Sequence, residues 1–146
     1  MRVAIYARVS RDDKEQDPMR QKLACETYCT FKGHSVLGYE HDYFTGDSNP
    51  FEREGFKKLM SLRPQAVVFE EMSRFTREHP MKVFRRIEYL KSKGIKIVSV
   101  SEPAFNMDHE FSDVMLFLIS WFNNYFLKNL RKNVKQGQER ARQEGK

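Results

Sequence analysis

The chain has 146 residues, with 26 Lys and Arg against 20 Asp and Glu, for a formal charge of +6. Hydrophobic residues make up 40% and charged residues 32%, which excludes a disordered polyelectrolyte and a membrane bundle and fits one water-exposed domain around one core. The longest apolar run, Val114 to Phe122, is too short to cross a bilayer, and no stretch has the make-up of a signal peptide, so a cytoplasmic location is expected.

Arg2 to Val9 opens the chain with β-formers, and the polar run "SRDDKEQDP" ends the strand. Arg8 and Ser10 are two apart, so on a strand their side chains leave the same face. This sets a hydroxyl beside a permanent cation at the carboxyl end of a first strand, the edge where open α/β sheets bind ligands. Taken alone, Ser10 reads first as a turn or cap residue.

A helix is predicted from about Pro18 to Phe31, with proline in its first turn and Gly33 just past its end. Cys25 and Cys29 are neighbours on it. No histidine among His34, His41, His79 and His109 completes a metal-ligand spacing, so the cysteines read as reduced, packed thiols and no metal is expected. "HSVLGYEHDYF" reads as a second strand, and "FEREGFKKLMSL" as a short amphipathic helix that stops at Arg63-Pro64. "AVVFEE" is the continuous apolar run of a strand buried on both faces. "MKVFRRIEYLKSKG" repeats apolar residues at helical spacing up to Gly94, and "IKIVSV" is a further strand. The alternation β-α-β-α-β-α-β predicts an α/β fold with a mostly parallel sheet flanked by helices over residues 1–108.

Residues 109–146 differ. From Phe111 one helical pattern runs to about Arg142, and its only internal glycine is Gly137. The first half is apolar nearly all round: Phe111, Val114, Met115, Leu116, Phe117, Leu118, Ile119, Trp121, Phe122, Tyr125 and Phe126. One sheet covers only one side of a helix, so a second copy of the chain is the expected cover; folding back on its own domain is the alternative. From Lys128 to Lys146 seven basic residues stand against two acids, leaving the remainder nearly neutral. Lys128, Arg131, Lys132, Lys135, Arg140 and Arg142 therefore form the candidate surface for a polyanion.

Arginines gather where strands end: Arg8 after the first, Arg74 and Arg77 in "MSRFTR" after the third, and Arg53 at the head of "FEREGF". Adjacent parallel strands would bring Arg8, Ser10, Arg74 and Arg77 to one edge. Guanidinium groups present a fixed fork of donors that suits phosphate oxygens. A single surface arginine is ordinarily just solvated; three around one hydroxyl at a ligand edge are a less ordinary grouping.

"YARVS", the Q-K-x-x-C-x-x-Y stretch from Gln21 to Tyr28, "FTG" before "REGF", and "SRFTR" together resemble the catalytic domain of the serine recombinases, the resolvase/invertase family. "NYFLKNLRKNVKQG" is similar to the long helix of the large serine integrases. The resemblance implies a DNA recombinase that cleaves and rejoins strands through a 5'-phosphoserine, in integration, inversion or resolution. By it, Ser10 is the nucleophile, Arg8, Arg74 and Arg77 bind the scissile phosphate, and Tyr6, Gln21, Asp42, Thr45 and Arg53 support the site. It implies double-stranded DNA as partner, a homodimer with a tetramer as the active synaptic form, nucleoid association, and neither nucleotide cofactor nor metal.

The chain departs from the family pattern in places. Ser73-Arg74 stands where Asp-Arg is usual, Glu70 and Glu71 stand where basic or neutral residues are frequent, and an acidic-basic pair of the long helix becomes Asn124-Tyr125 or Phe126-Leu127, with Lys128 nearby. A carboxylate near the leaving group is thus expected to be missing. The separate DNA-binding domain usual in the family is not visible in this sequence. Two other readings are a metal-dependent nuclease using Asp42, Asp47, Glu70 and Glu71, and a catalytically impaired DNA-binding or oligomerisation module of the same fold, which Ser73 favours.

Overall fold

The computed structural model describes residues 1–10, 17–106 and 111–143. Strand β1 spans Arg2–Val9, β2 Ser35–Tyr43, β3 Ala66–Phe69 and β4 Lys96–Ser99. They form one sheet in the order β2-β1-β3-β4, with every pairing parallel. The expected α/β architecture is the one found. Parallel neighbours need crossover connections, and helices supply them.

Helix α1 (Pro18–Lys32) starts on Asp17, whose side chain accepts the Met19 amide, and carries proline in its first turn. It ends at Gly33, which sits at φ 71°, a left-handed conformation that glycine adopts without steric cost. Its inward face is a narrow row of Gln21, Cys25 and Cys29, four residues apart. Both thiols are free and buried; burial pushes Cys25 up to about 12 and raises Cys29 as well. They are packing groups rather than reactive ones.

α1 covers one face of the sheet, over Val3, Ile5, Ala66, Val68 and Val98. The opposite face carries Ala4, Tyr6, Val67, Phe69 and Ile97 and packs against the remaining helices. These are α2 (Glu54–Ser61), α3 (Met72–Phe75), α4 (Pro80–Ser92) and α5 (Phe111–Gln143). Burial on both sides explains why β1 and β3 show no polar alternation. The helix read from "FEREGF" begins later than its apolar pattern suggests, because Pro50–Glu52 first forms a 3-10 turn capped by Asn49. Two short elements have no periodic signal and were not expected: α3 (Met72–Phe75) and a 3-10 turn at Pro103–Asn106.

α5 runs for 33 residues, as its pattern predicts. Leu118 is fully buried against the domain, with Trp121 packed at the edge of the same cluster. The side chains of Phe111, Val114, Met115, Leu116, Phe117, Tyr125 and Phe126 lie outside the described residues. Among the described residues no helix is long and apolar enough to cross a membrane.

Candidate active site

β1 is longer than β3. Its register with β3 covers Val3 to Ile5, so its last residues run on beside the segment where β3 gives way to α3. Arg8 projects into that gap and is fully buried. One terminal nitrogen, Nη1, donates to the Phe44 carbonyl at 2.7 Å, and Nη2 donates to the Ser73 carbonyl at 2.8 Å. From α1, the Gln21 amide brackets the Arg8 backbone, accepting its N–H at 3.2 Å and donating to its carbonyl at 3.1 Å. Gln21 therefore fixes the strand end, and the two carbonyls fix the guanidinium.

A second buried arginine locks the neighbouring layer. Arg53, fully buried at the start of α2, donates to the Phe75 carbonyl at 2.8 Å and to the Tyr6 hydroxyl at 3.3 Å. It also donates to the hydroxyl and carbonyl of Ser48 at 3.1 and 3.0 Å. The Tyr6 hydroxyl in turn donates a hydrogen bond to Asp42 at 2.9 Å. Asp42 also accepts the amides of Gly55 and Phe56, at 2.8 and 3.0 Å, from the first turn of α2, where a carboxylate meets the positive end of the helix. Burial raises the Tyr6 phenol well above its usual range, so it stays a neutral donor. Asp42, Tyr6 and Arg53 thus tie β2, β1, α2 and α3 together beneath the site.

Arg74 lies in α3 and is almost completely buried. Its Nη2 is 3.3 Å from Glu71, whose same oxygen accepts the Ser73 hydroxyl at 2.9 Å. The backbone N–H of Arg77 donates to the Gly46 carbonyl at 2.7 Å. A methyl group added at Gly46 would sit 2.3 Å from Arg77 Nε, so only glycine lets the two segments meet. Thr45 beside it is exposed, and its hydroxyl holds the Asp47 carboxylate below its ordinary range.

Burial, reinforced by Arg77, Arg53 and Arg74, lowers the Arg8 guanidinium to about 9, which leaves it protonated at neutral pH. Burial lowers Arg74 too, with Glu71 and Glu70 offsetting part of the effect. Three cations at one edge, with Arg53 buried behind them, repel one another and favour any anion that enters. The Nε atoms of Arg8 and Arg74 are buried and have no hydrogen-bond partner among the described residues. Buried donors ordinarily find acceptors. Ser10 stands half-buried just beyond Val9, at the end of the same strand.

The structure thus brings Arg8, Arg74 and Arg77 to one edge, with Tyr6, Gln21, Asp42 and Arg53 behind them. The acids of the nuclease reading do not assemble. Asp42 is spent on Tyr6 and α2, Glu70 pairs with Arg20 at 2.6 Å, and Glu71 faces Arg74. No group of three metal-ligating side chains occurs among the described residues. Lys128, Arg131, Lys132, Lys135, Arg140 and Arg142 are all on α5, well separated in sequence from this edge, and five are plainly exposed along with Lys128. A cavity of about 660 Å³ lies at the opposite, amino-terminal edge of β3 and β4, between Met60, Pro64, Tyr89 and Ile95, and holds none of the predicted site residues.

Several contributors escaped the sequence reading. The carbonyls of Phe44 and Ser73 carry no side-chain signal at all. Gly46 and Gly55 were visible within "FTG" and "REGF", but the close approaches that require them were not: a methyl at Gly55 would meet Asp42 at 2.8 Å. Glu71 reads from sequence as a departure from the family pattern or as a metal ligand, and its reach back to Arg74 depends on α3, which the sequence does not announce.

Comparison with known proteins identifies the fold and the family. The family described as "Resolvase, N terminal domain" matches residues 3–146. The chain is 25% identical to the C-terminal catalytic domain of ISC1926 TnpA, an IS607-like serine recombinase, with a TM-score of 0.60 over 97% of this chain and 98% of that one. It shares its fold with the N-terminal catalytic domain of TP901-1 integrase, at 23% identity and TM-score 0.63 over 89% and 98%. It shares it also with a resolvase family site-specific recombinase from Streptococcus pneumoniae, at 18% identity and TM-score 0.59 over 97% and 99%. No curated protein sequence matches the chain. With a sheet, a long helix and an arginine edge of this kind, and a family match over nearly its whole length, the chain belongs to the resolvase N-terminal domain family and is a catalytic domain of a site-specific serine recombinase.

Proposed function

We propose that Ser10 attacks a phosphodiester of double-stranded DNA while Arg8, Arg74 and Arg77 hold the phosphate. The bond from the serine oxygen to phosphorus forms as the bond from phosphorus to the 3' oxygen breaks. The proton lost by the serine is matched by one gained on the released 3' hydroxyl. A second hydroxyl attack in reverse rejoins a strand, and the phosphoserine linkage keeps the energy needed for it, so no nucleotide is consumed.

The observation that carries this reading is the pair of buried, unspent guanidinium donors, Arg8 Nε and Arg74 Nε, at the edge where Ser10 emerges. A phosphoryl transition state needs positioning and positive charge more than covalent help. Each well-aimed donor in such a site is worth about 3 kcal/mol. Arg53, Tyr6, Asp42 and Gln21 act as the frame that keeps those donors aimed, and Thr45 borders it.

The division of labour along the chain is part of the proposal: residues 1–108 carry the chemistry, and 109–146 carry assembly and DNA contact. Leu127, Leu130 and Val134 are exposed at alternating spacings of three and four, and Gly137 and Ala141 continue the row. That is the seam of a two-helix contact, which supports a homodimer through α5, with a tetramer at synapsis. The exposed cations from Lys128 to Arg142 then lie along the duplex backbone, giving affinity that falls steeply with salt and reads few bases. A cytoplasmic, nucleoid-associated location goes with this substrate.

Ser10→Ala tests the assignment on a nicked duplex library with a randomised centre. The wild-type chain is expected to give a gel-stable protein–DNA adduct whose phosphate maps to Ser10, in the presence of EDTA. The variant is expected to bind DNA and give none. An adduct formed by the alanine variant, or one lost on chelation, would overturn the mechanism.

A further inference from the structure

We infer that Glu71 is a positioning residue for this reaction, and that with Ser73 it forms a carboxylate–hydroxyl clamp that aims Arg74. The inference rests on the phosphoryl-transfer reading above and deepens it. It starts from three contacts within one turn of chain and a fourth that reaches β1. The Glu71 carbonyl accepts the backbone N–H of Arg74 at 3.0 Å. One Glu71 carboxylate oxygen faces Arg74 Nη2 at 3.3 Å and accepts the Ser73 hydroxyl at 2.9 Å. The Ser73 carbonyl, in turn, accepts Arg8 Nη2 at 2.8 Å.

α3 is only four residues long. So short a helix holds itself together poorly, and its geometry comes from what its side chains grip. Glu71 grips Arg74 from both backbone and side chain, while Ser73 joins that grip to Arg8. The two phosphate-binding guanidiniums are therefore coupled through a single dipeptide step. Glu71 engages the terminal nitrogen of Arg74 and leaves its buried Nε open. A carboxylate that merely blocked the anion site would be expected to cover the open donor instead. Arg74 is 7% exposed at its side chain and Glu71 41%, so the acid stands at the rim with the cation behind it. A carboxylate here also offsets part of the repulsion among the four arginines, which favours keeping Arg74 charged in place. The position at 73 thus lacks an acid, but the site does not: Glu71 folds back to the Ser73 hydroxyl.

Glu71→Gln removes the charge and keeps the shape. With the nicked, randomised duplex library, the variant is expected to form the Ser10 adduct about tenfold or more slowly at saturating DNA, with half-saturation changed by less than about twofold. Adding Ser73→Asp to Glu71→Gln is expected to restore the rate, because it returns a carboxylate to the same guanidinium. The Arg74 Nε–H resonance gives a readout that needs no turnover: it is expected to sharpen in the wild type, broaden in Glu71→Gln and sharpen again in the double variant. Unchanged rate and resonance in Glu71→Gln, faster cleavage with tighter DNA binding, or failure of Ser73→Asp to rescue a folded double variant would each overturn the clamp. An adduct at Ser10 that is indifferent to Glu71 would sink this inference alone, whereas an adduct elsewhere would sink the reading beneath it.

Discussion

The Tyr6 hydroxyl donates to Asp42 at 2.9 Å and receives Arg53 at 3.3 Å, so one phenol joins an acid that caps α2 to a cation that holds α3. Asp42 satisfies three donors at once: Tyr6 and the amides of Gly55 and Phe56. Removing it leaves all three buried without an acceptor. Each such loss costs about 1 kcal/mol or more, so Asp42→Ala is expected to lower stability by about 3 kcal/mol or more, and Tyr6→Phe by about 1 kcal/mol. Urea unfolding followed by circular dichroism measures both. Equal effects from the two variants would mean that the helix amides find other partners.

Arg8 gives a prediction with a definite sign. Its folded pKa of about 9 lies below the ordinary guanidinium value, so the unfolded chain holds this proton more tightly. Stability attributable to Arg8 is therefore held back at neutral pH and rises as pH climbs through about 9. An anion at the site should supply the missing compensation without any change of pH. Inorganic phosphate at neutral pH is expected to raise the melting temperature of the wild type, by about 2.7 kcal/mol of stabilisation at a hundredfold excess over its dissociation constant. Arg8→Met should abolish the phosphate effect. An equal phosphate response in the variant would place the anion on α5 instead.

The frame of the site was legible where its physics is local. Gly33 and Gly94 closed their helices as expected, each at a positive φ, and the parallel order followed from the alternation of strands and helices. The arginine edge followed because β1 and β3 are neighbours. What stayed hidden depends on contacts between distant backbone segments. The Phe44 and Ser73 carbonyls that fix Arg8 come from 36 and 65 residues away, and a carbonyl has no letter in the sequence. Arg53 looked like a surface cation at a helix start, yet it is fully buried, because Ser48, Phe75 and Tyr6 converge on it. Glu70 and Glu71 stand out in the sequence as departures and as possible metal ligands; in the fold Arg20 and Arg74 engage them.

Glu78 and Arg86 set an acid limit on the fold. Glu78 is buried, and Arg86 meets it with two bonds, Nε at 3.1 Å and Nη2 at 2.9 Å, while the Thr76 hydroxyl adds a third at 2.8 Å. Burial alone would raise the Glu78 carboxyl, but these bonds outweigh it and lower the pKa below its ordinary value. The stabilisation is present above the unfolded-state pKa and is lost as pH falls through the folded value. Arg86→Met keeps an unbranched apolar side chain of similar length and removes the charge, together with the guanidinium that lies 5.7 Å over the Phe51 ring. It is expected to cost about 3 kcal/mol at neutral pH, since a buried carboxylate is left uncompensated. The gap from the wild type should close on acidification, as both forms then carry a protonated Glu78. A gap that stays constant down to acid pH would show that packing, not charge, was lost.

Gly46 tests whether the site depends on backbone approach as much as on cations. The Arg77 amide reaches the Gly46 carbonyl at 2.7 Å, and a methyl group at residue 46 would lie 2.9 Å from Arg77 Cβ as well as 2.3 Å from Nε. The first of these neighbours is fixed to the backbone and cannot swing aside, so Gly46→Ala must push the 44–48 segment away from Arg77. Phe44 lies in that segment and its carbonyl holds Arg8, so the displacement reaches two arginines at once. Residue 46 takes no part in any strand pairing, so the sheet's hydrogen bonding does not run through it. The variant is therefore expected to lose about 1–2 kcal/mol of stability, as overpacking at one point does, while Ser10 adduct formation falls far more than the binding of duplex DNA. Gel assay of the adduct alongside fluorescence anisotropy with a labelled duplex separates the two. If Gly46→Ala cleaves at the wild-type rate, the segment yields without moving Arg77, and the aim of that guanidinium is set elsewhere.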